Sequence, residues 1–460
     1  MSNFWDFSTW GFFNLVTVLL ISLLVANMLR RSIPALEASL IPTSVLGGGI
    51  LLIISAVYNT ITGEEMFNTA FFGGNGAAWL ELLTYHMLAL GFTASALKSS
   101  GGKMTKERSV EIFNTGLTTV STYLFQALAG MIICTVGAIF LKDLLEAAGL
   151  LLALGFGQGP GQAMNYGGIY EMDYGFVGGK SFGLTVSSMG FLAASFGGVI
   201  HLNILKRQGK IKLDRGTGMT GEHVEGQNEI PMQESIDKFT IQIALIMLAY
   251  MLAYLLMLIL GNLLPGMRST IYGFNFLLGV LAGTLLKTLM NFLRKKNIIH
   301  RCYTNDFLLT RATNFFYDIM VTASIAAIRM NIIGKYWAVL LVMGLVGMAL
   351  TYLYVRFVCR KLFPDYAEQQ FLAMYGMLTG TASTGVILLR EIDGDFKTPA
   401  SDNLVYQNFP AIVFGFPMML LATLAPVKPI LTFIILFLFF VVMNVILFRS
   451  FIFRKRKVKA

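Results

Sequence analysis

Apolar runs of roughly 17–25 residues, each closed by a short polar or charged turn, recur along the whole chain. Runs of that length cross a hydrocarbon core of about 30 Å as helices. Spans are expected at 12–29, 40–58, 80–97, 112–141, 181–205, 239–260, 271–290, 314–329, 337–354, 408–424 and 431–448. Two further apolar stretches do not read as ordinary helices. Residues 152–168 are LALGFGQGPGQAMNYGG, and residues 375–389 are YGMLTGTASTGVILL. Gly loses too much chain entropy in a helix and Pro lacks the N–H, so the first stretch must break. Irregular backbone at membrane depth is tolerated only where protein or a watery cavity satisfies it. Both stretches are therefore expected to be broken or re-entrant segments, at about 147–172 and 369–389, that build a polar site inside the bilayer.

Cations in the turns orient the chain. Arg30-Arg31, the 98–108 loop, the 206–215 loop, residues 293–297, residues 356–361 and the tail at 454–459 are all basic. The positive-inside rule places them in the cytoplasm, with the N-terminus outside and the C-terminus inside. Parity then supports the first re-entrant segment. If 147–172 and 181–205 both crossed, the basic loop at 206–215 would lie outside; if the first enters and leaves on the outer face, the charges fall correctly.

The expected fold is an all-α polytopic membrane protein with an inverted-topology repeat. Each half has five spans and one re-entrant loop, and one extra C-terminal span makes about eleven. The parts are an N-terminal repeat at 1–205, a mobile cytoplasmic linker at 206–238, a C-terminal repeat at 239–424, and an extra helix with a basic tail at 425–460. The halves begin on opposite faces, as inverted repeats do. Gly47-Gly48-Gly49 reads as a helix-packing patch.

Composition agrees. The 460 residues are 55% hydrophobic and 13% charged, against about 25% charged in soluble proteins. The net charge of +10 sits in short loops and does not point to nucleic acid. Cys134, Cys302 and Cys359 are dispersed and form no metal spacing or disulfide framework. The first apolar run lacks the basic leader and cleavage site of a signal peptide. H-E-x-x-H and P-loop motifs are absent, so the chain is read as no enzyme, with no cofactor.

Sodium takes oxygen ligands, and broken helices offer carbonyls, hydroxyls and amides. The first loop supplies Gln158, Gly159, Gly161, Gln162 and Asn165. The second supplies Thr379, Gly380, Thr381, Ser383 and Thr384. Helices restarting after each break present N–H groups that favour an anionic substrate. Each Ser or Thr hydroxyl there has an equal claim to bond its own helix backbone. Asp318 is an intramembrane acid whose partner is Arg311 or a cation, or else a structural ion pair near the cytoplasmic end. His86, near Glu81, has a proton role or a packing role. Arg390 either binds a substrate carboxylate or anchors to Glu391 or Asp393.

Three motifs in order, ALGFTASALKSSGG (89–102), the first glycine-rich loop followed by KSFGLT (180–185), and GTASTGVILLREID (380–393), resemble the bacterial sodium/glutamate symporter family. The resemblance runs from about residue 23 to 421. It implies a secondary transporter in the cell membrane that carries glutamate or a related acidic amino acid with sodium by alternating access. The sodium site would lie within the same loops, and the assembly would be a homodimer. Thr93 and Ser95, in the first motif, become further candidates. The first loop lacks the Gly-Gly-His-Gly-Thr-like run of the family, and the last span is additional to its ten-span plan. A gated channel or passive exporter of small organic anions is the alternative, and a membrane sensor has less support.

Overall fold

The computed structural model describes residues 3–98, 105–209, 229, 236–394 and 397–452. In chain order the helices are α1 (Phe7–Ser32), α2 (Pro34–Ala38), α3 (Thr43–Thr62), α4 (Gly76–Leu97), α5 (Lys106–Phe140), α6 (Pro160–Tyr174), α7 (Gly179–Arg207), α8 (Lys238–Leu263) and α9 (Arg268–Gly273). There follow α10 (Asn275–Lys295), α11 (Asp306–Ala326), α12 (Met330–Leu362), α13 (Ala367–Thr379), α14 (Ala382–Arg390), α15 (Ala400–Tyr406), α16 (Asn408–Leu424), α17 (Pro429–Leu447) and α18 (Arg449–Ile452).

Among the described residues, nine helices are long and apolar enough to cross a membrane. The pair α15 and α16, bent by 49° at a short break, makes a tenth. The chain is a multi-span, all-helical membrane protein. Of the eleven expected spans, α11 has the length, at 21 residues, but is not apolar enough to be counted. On α17, Ile430, Ile434, Phe437, Leu438 and Val442 lie on one helix face and are each at least half exposed. Such a face is stable only against lipid tails or another protein.

The helices group into two compact units. One holds α1, α3, α4 and α8 to α11; the other holds α2, α5 to α7 and α12 to α18. In the first unit, Leu15, Leu19, Leu51, Leu80 and Ala323 share one buried cluster. The 47–49 glycines act there as packing residues. A Cβ on Gly47 would lie 3.2 Å from the Ser22 carbonyl of α1, and one on Gly48 2.9 Å from the Thr322 carbonyl of α11. His86 of α4 hydrogen-bonds the Tyr250 hydroxyl of α8 at 2.7 Å.

One expectation needs correction here. Helix α11 begins at Asp306, eight residues before the expected 314, because the Asn305 side chain accepts the Leu308 N–H and caps it. The linker is docked at one described point. Glu229 bridges to Cys302, pairs with the fully buried Lys238 at 2.7 Å and accepts from Asn305. The rest of 210–235 and the 454–459 tail lie outside the described residues.

In the second unit, α5, α7 and α12 are the long elements, at 35, 29 and 33 residues. A core that includes Phe371, Leu372, Tyr375, Leu378 and Leu388 fills the space around α13 and α14. The α13–α14 segment and the 146–174 segment are both interrupted within this unit.

Candidate functional site

The first interrupted segment descends through a 3-10 turn, Glu146–Leu150, and a wide π turn, Ala153–Gly157. It breaks at Gln158 and Gly159 and restarts as α6. Gly159 has φ +86, a conformation open to glycine and strained for other residues. Pro160 follows at the first helical position, where its missing N–H is harmless. The second segment runs down α13, breaks at Gly380 and Thr381, and restarts as α14. The interrupted segments run over 146–174 and 367–390.

The two breaks touch. A Cβ built on Gly159 would lie 3.7 Å from the Gly380 carbonyl oxygen and 3.8 Å from Thr381 Cγ2. Phe191 of α7 closes on Gly380, and Gly190 lies against the Thr379 carbonyl. Four chain ends therefore converge. Two of them, at Gln158 and Gly380, carry no backbone cap, whereas the C-caps of α5, α6, α7 and α12 each return an N–H. The other two, at Gly159 and Thr381, have no side-chain cap. A helix C-end concentrates partial negative charge and an N-end partial positive charge. Both kinds of terminus meet here.

The side chains at the crossing are polar and uncharged. Gln162 is 1% exposed, and neither its amide oxygen nor its nitrogen has a partner among the described residues. Ser187 Oγ of α7, beside Gly155, is likewise buried without one. Gln126 of α5 donates Nε2 to the Leu378 carbonyl at 2.9 Å and to Thr351 Oγ1 at 2.8 Å. Its oxygen faces Gly157.

The hydroxyls divide. Thr379 spends its hydroxyl on the Tyr375 carbonyl of its own helix at 2.6 Å. Thr381 and Thr384 bond each other at 3.3 Å. Gln158, Asn165 and Ser383 are half-buried, Gly161 is buried at the start of α6, and Arg390 is exposed at the end of α14. Thr93, Ser95 and Asp318 belong to the other unit. Thr93 bonds the Ala89 carbonyl of its own helix. Asp318 hydrogen-bonds Ser44 rather than Arg311, whose guanidinium lies 5.0 Å from the Phe307 ring centre.

Sequence reasoning missed Gln126 and Ser187, which sit on ordinary spans. A lone amide in the apolar run LFQAL (124–128) was the available signal. It also missed a relay at the entry to α13. His201, fully buried on α7, bonds the Tyr352 hydroxyl through Nδ1 and Glu368 through Nε2, both at 2.8 Å. Arg356 donates to the Tyr352 oxygen and Arg360 to Glu368. The His201 hydrogen bond, with help from Arg360, pulls the Glu368 carboxyl down to about 2.

No protein-family model matches the chain, and no curated protein sequence matches it. Its class is the one its fold defines, a polytopic all-helical membrane protein with nine or ten apolar spans among the described residues.

Proposed function

We propose that the chain is a secondary active transporter that symports glutamate or a related acidic amino acid with sodium by alternating access. The observation that carries this reading is the contact of two broken segments, Gly159 against Gly380 and Thr381, amid buried amides with open hydrogen-bonding capacity. Paired interrupted segments are the hallmark of a carrier's binding site. The contact units support an inverted repeat. Each unit takes equivalent elements from both halves of the chain: α1, α3, α4 with α8, α10, α11, and α5, hairpin, α7 with α12, hairpin, α16. On this reading 1–205 and 239–424 are the repeats, and the interrupted segments are re-entrant hairpins from opposite faces. The α6 and α14 N-termini hold the carboxylates, and the uncapped carbonyls hold sodium. The motif resemblance to sodium/glutamate symporters supplies the substrate class, the cell membrane and the homodimer. Arg30 and Arg31 in the last turn of α1 favour an outside N-terminus.

Purified protein in proteoliposomes with an inward sodium gradient tests this. Saturable uptake of labelled glutamate or aspartate that collapses without the gradient is expected. Uptake indifferent to sodium would reject the symport, and channel-scale conductance in a planar bilayer would reject the carrier.

A further inference from the structure

Gln126 reaches both broken arms, Gly157 on one side and Leu378 on the other, and its amide is not free to turn. Its nitrogen carries two hydrogens, and both are spent, on the Leu378 carbonyl at 2.9 Å and Thr351 Oγ1 at 2.8 Å. A flipped amide would set its oxygen against the Leu378 oxygen, two acceptors face to face. Oε1 is therefore locked toward the first break. It lies 3.0 Å from the position of a Cβ on Gly157, the last residue of the π turn. Gln126 is 0% exposed, and Oε1 has no partner among the described residues. A buried amide oxygen left without a donor costs about 1–3 kcal/mol.

Two helix C-ends lie beside the Gln126 amide. The π turn ends at Gly157 and α13 ends at Thr379, and neither C-cap returns a backbone N–H. The last carbonyls of a helix have no intrahelical partner. Ring carbons Cδ1 and Cε1 of Tyr123 pack on Gly157. An oxygen locked in place among carbonyl ends fits a cation. The Gln162 amide, on the N-terminal turn of α6, belongs to the opposite, positive side of the crossing.

We propose that Gln126 Oε1 ligates a cationic group at the C-terminal ends of the two broken arms, either the coupling sodium ion or the ammonium of the substrate. This rests on the transporter reading above. It adds a consequence that the hairpins alone do not supply. The same amide that holds the cation beside Gly157 also holds the Leu378 carbonyl, two residues before the second break. Cation occupancy at the first hairpin then fixes the tip of the second, and an empty site releases both.

The test uses the full chain in lipid nanodiscs, with sodium chloride alone as the probe and potassium chloride as the ionic-strength control. Wild type and Gln126→Met are compared by thermal shift and by calorimetric titration of sodium. A loss of roughly tenfold or more in sodium affinity assigns the oxygen to the coupling ion. Unchanged sodium binding, with a comparable rise in the half-saturating concentration for glutamate but not for a dicarboxylate that lacks the amine, assigns it to the ammonium. Wild-type behaviour of Gln126→Met in both assays overturns the proposal. If wild type itself neither binds sodium nor transports, the transporter reading has failed instead. Should Gln126→Met not fold, thallous ion soaked into wild-type crystals gives the same answer. An anomalous peak at ligand distance from Gln126 Oε1 assigns the oxygen to the coupling ion; no peak there, together with a glutamate soak whose ammonium lies away from Oε1, contradicts the proposal.

Discussion

The two broken segments meet tip to tip, but their second arms, α6 and α14, are held by different forces. In the first, α6 buries ten of its fifteen residues. Three tyrosines at four-residue spacing, Tyr166, Tyr170 and Tyr174, donate to the carbonyls of Met419, Ala422 and Thr423 on α16. Two of those carbonyls are free because of Pro426. It has no N–H for Ala422, and the turn it makes sends the Val427 N–H to Leu424 instead of Thr423. In the second, α14 buries four of nine residues. It rests on packing: Gly385 against Ala373, Gly376 against Gly385, and Leu388 against Gly198 of α7. Directional bonds tie α6 to a neighbouring helix, as the Tyr375 and Gln126 bonds tie α13. Close glycine contact lets α14 slide or lift. Small residues permit that approach without adding a directional restraint, and sparsely buried elements open first. The comparison makes α6 the fixed wall of the site and α14 the moving one.

The most severe way to break this arrangement is at the contact itself. Gly159→Val adds a branched side chain where φ is +86 and the opposing tip is within van der Waals reach. Backbone strain of about 1–3 kcal/mol and the blocked tip together should lower proteoliposome uptake by more than about tenfold. Next, the two hairpins should respond in opposite ways. Gly385→Ala would push a methyl into the Ala373 carbonyl. The arms must part at a cost of about 1–3 kcal/mol, and uptake should fall further than the midpoint of thermal unfolding. Tyr170→Phe leaves the buried Ala422 carbonyl without its donor, also about 1–3 kcal/mol. Its melting temperature should fall while most uptake survives. Equal loss of uptake in both variants would remove the distinction.

A smaller effect is expected at the entry to α13. The Glu368 carboxyl is held at about 2 by His201 and Arg360, against an ordinary value of about 4.3. A depressed folded value means stability that is present above pH 4 to 5 and lost as pH falls toward 2. Glu368→Gln should lower the midpoint at neutral pH, by about 2 kcal/mol for a charged hydrogen bond, and flatten the acid limb of a stability-versus-pH series. The smallest effect belongs to Thr379→Val. Its hydroxyl already serves Tyr375, so uptake should stay within about twofold of wild type.

The breaks were legible in the sequence because glycine and proline forbid an ordinary helix wherever they cluster. Residues 155–161 and 380–385 could be placed to within two or three positions. The site was only half legible. Gln162 and Thr381 lie in the glycine-rich stretches and were found there. Gln126 and Ser187 reach the crossing from α5 and α7, and nothing local in those apolar runs says what lies opposite. Likewise the carbonyl demand of Thr379 and Thr93 could not be seen. A threonine in a helix bonds backwards or outwards with little difference in local sequence. Asp318 shows the same limit, since its partner Ser44 is distant in the chain. The start of α11 was missed because Asp306, Thr310, Arg311 and Thr313 interrupt the apolar residues of its first two turns and only the Asn305 cap marks them.

The central claim is that these two breaks form one ligand site. Labelling of Thr381→Cys by a small maleimide tests it directly, in protein lacking Cys134, Cys302 and Cys359. Glutamate with sodium should slow the reaction, and either one alone should protect less. A labelling rate that is the same with and without the pair would contradict the account.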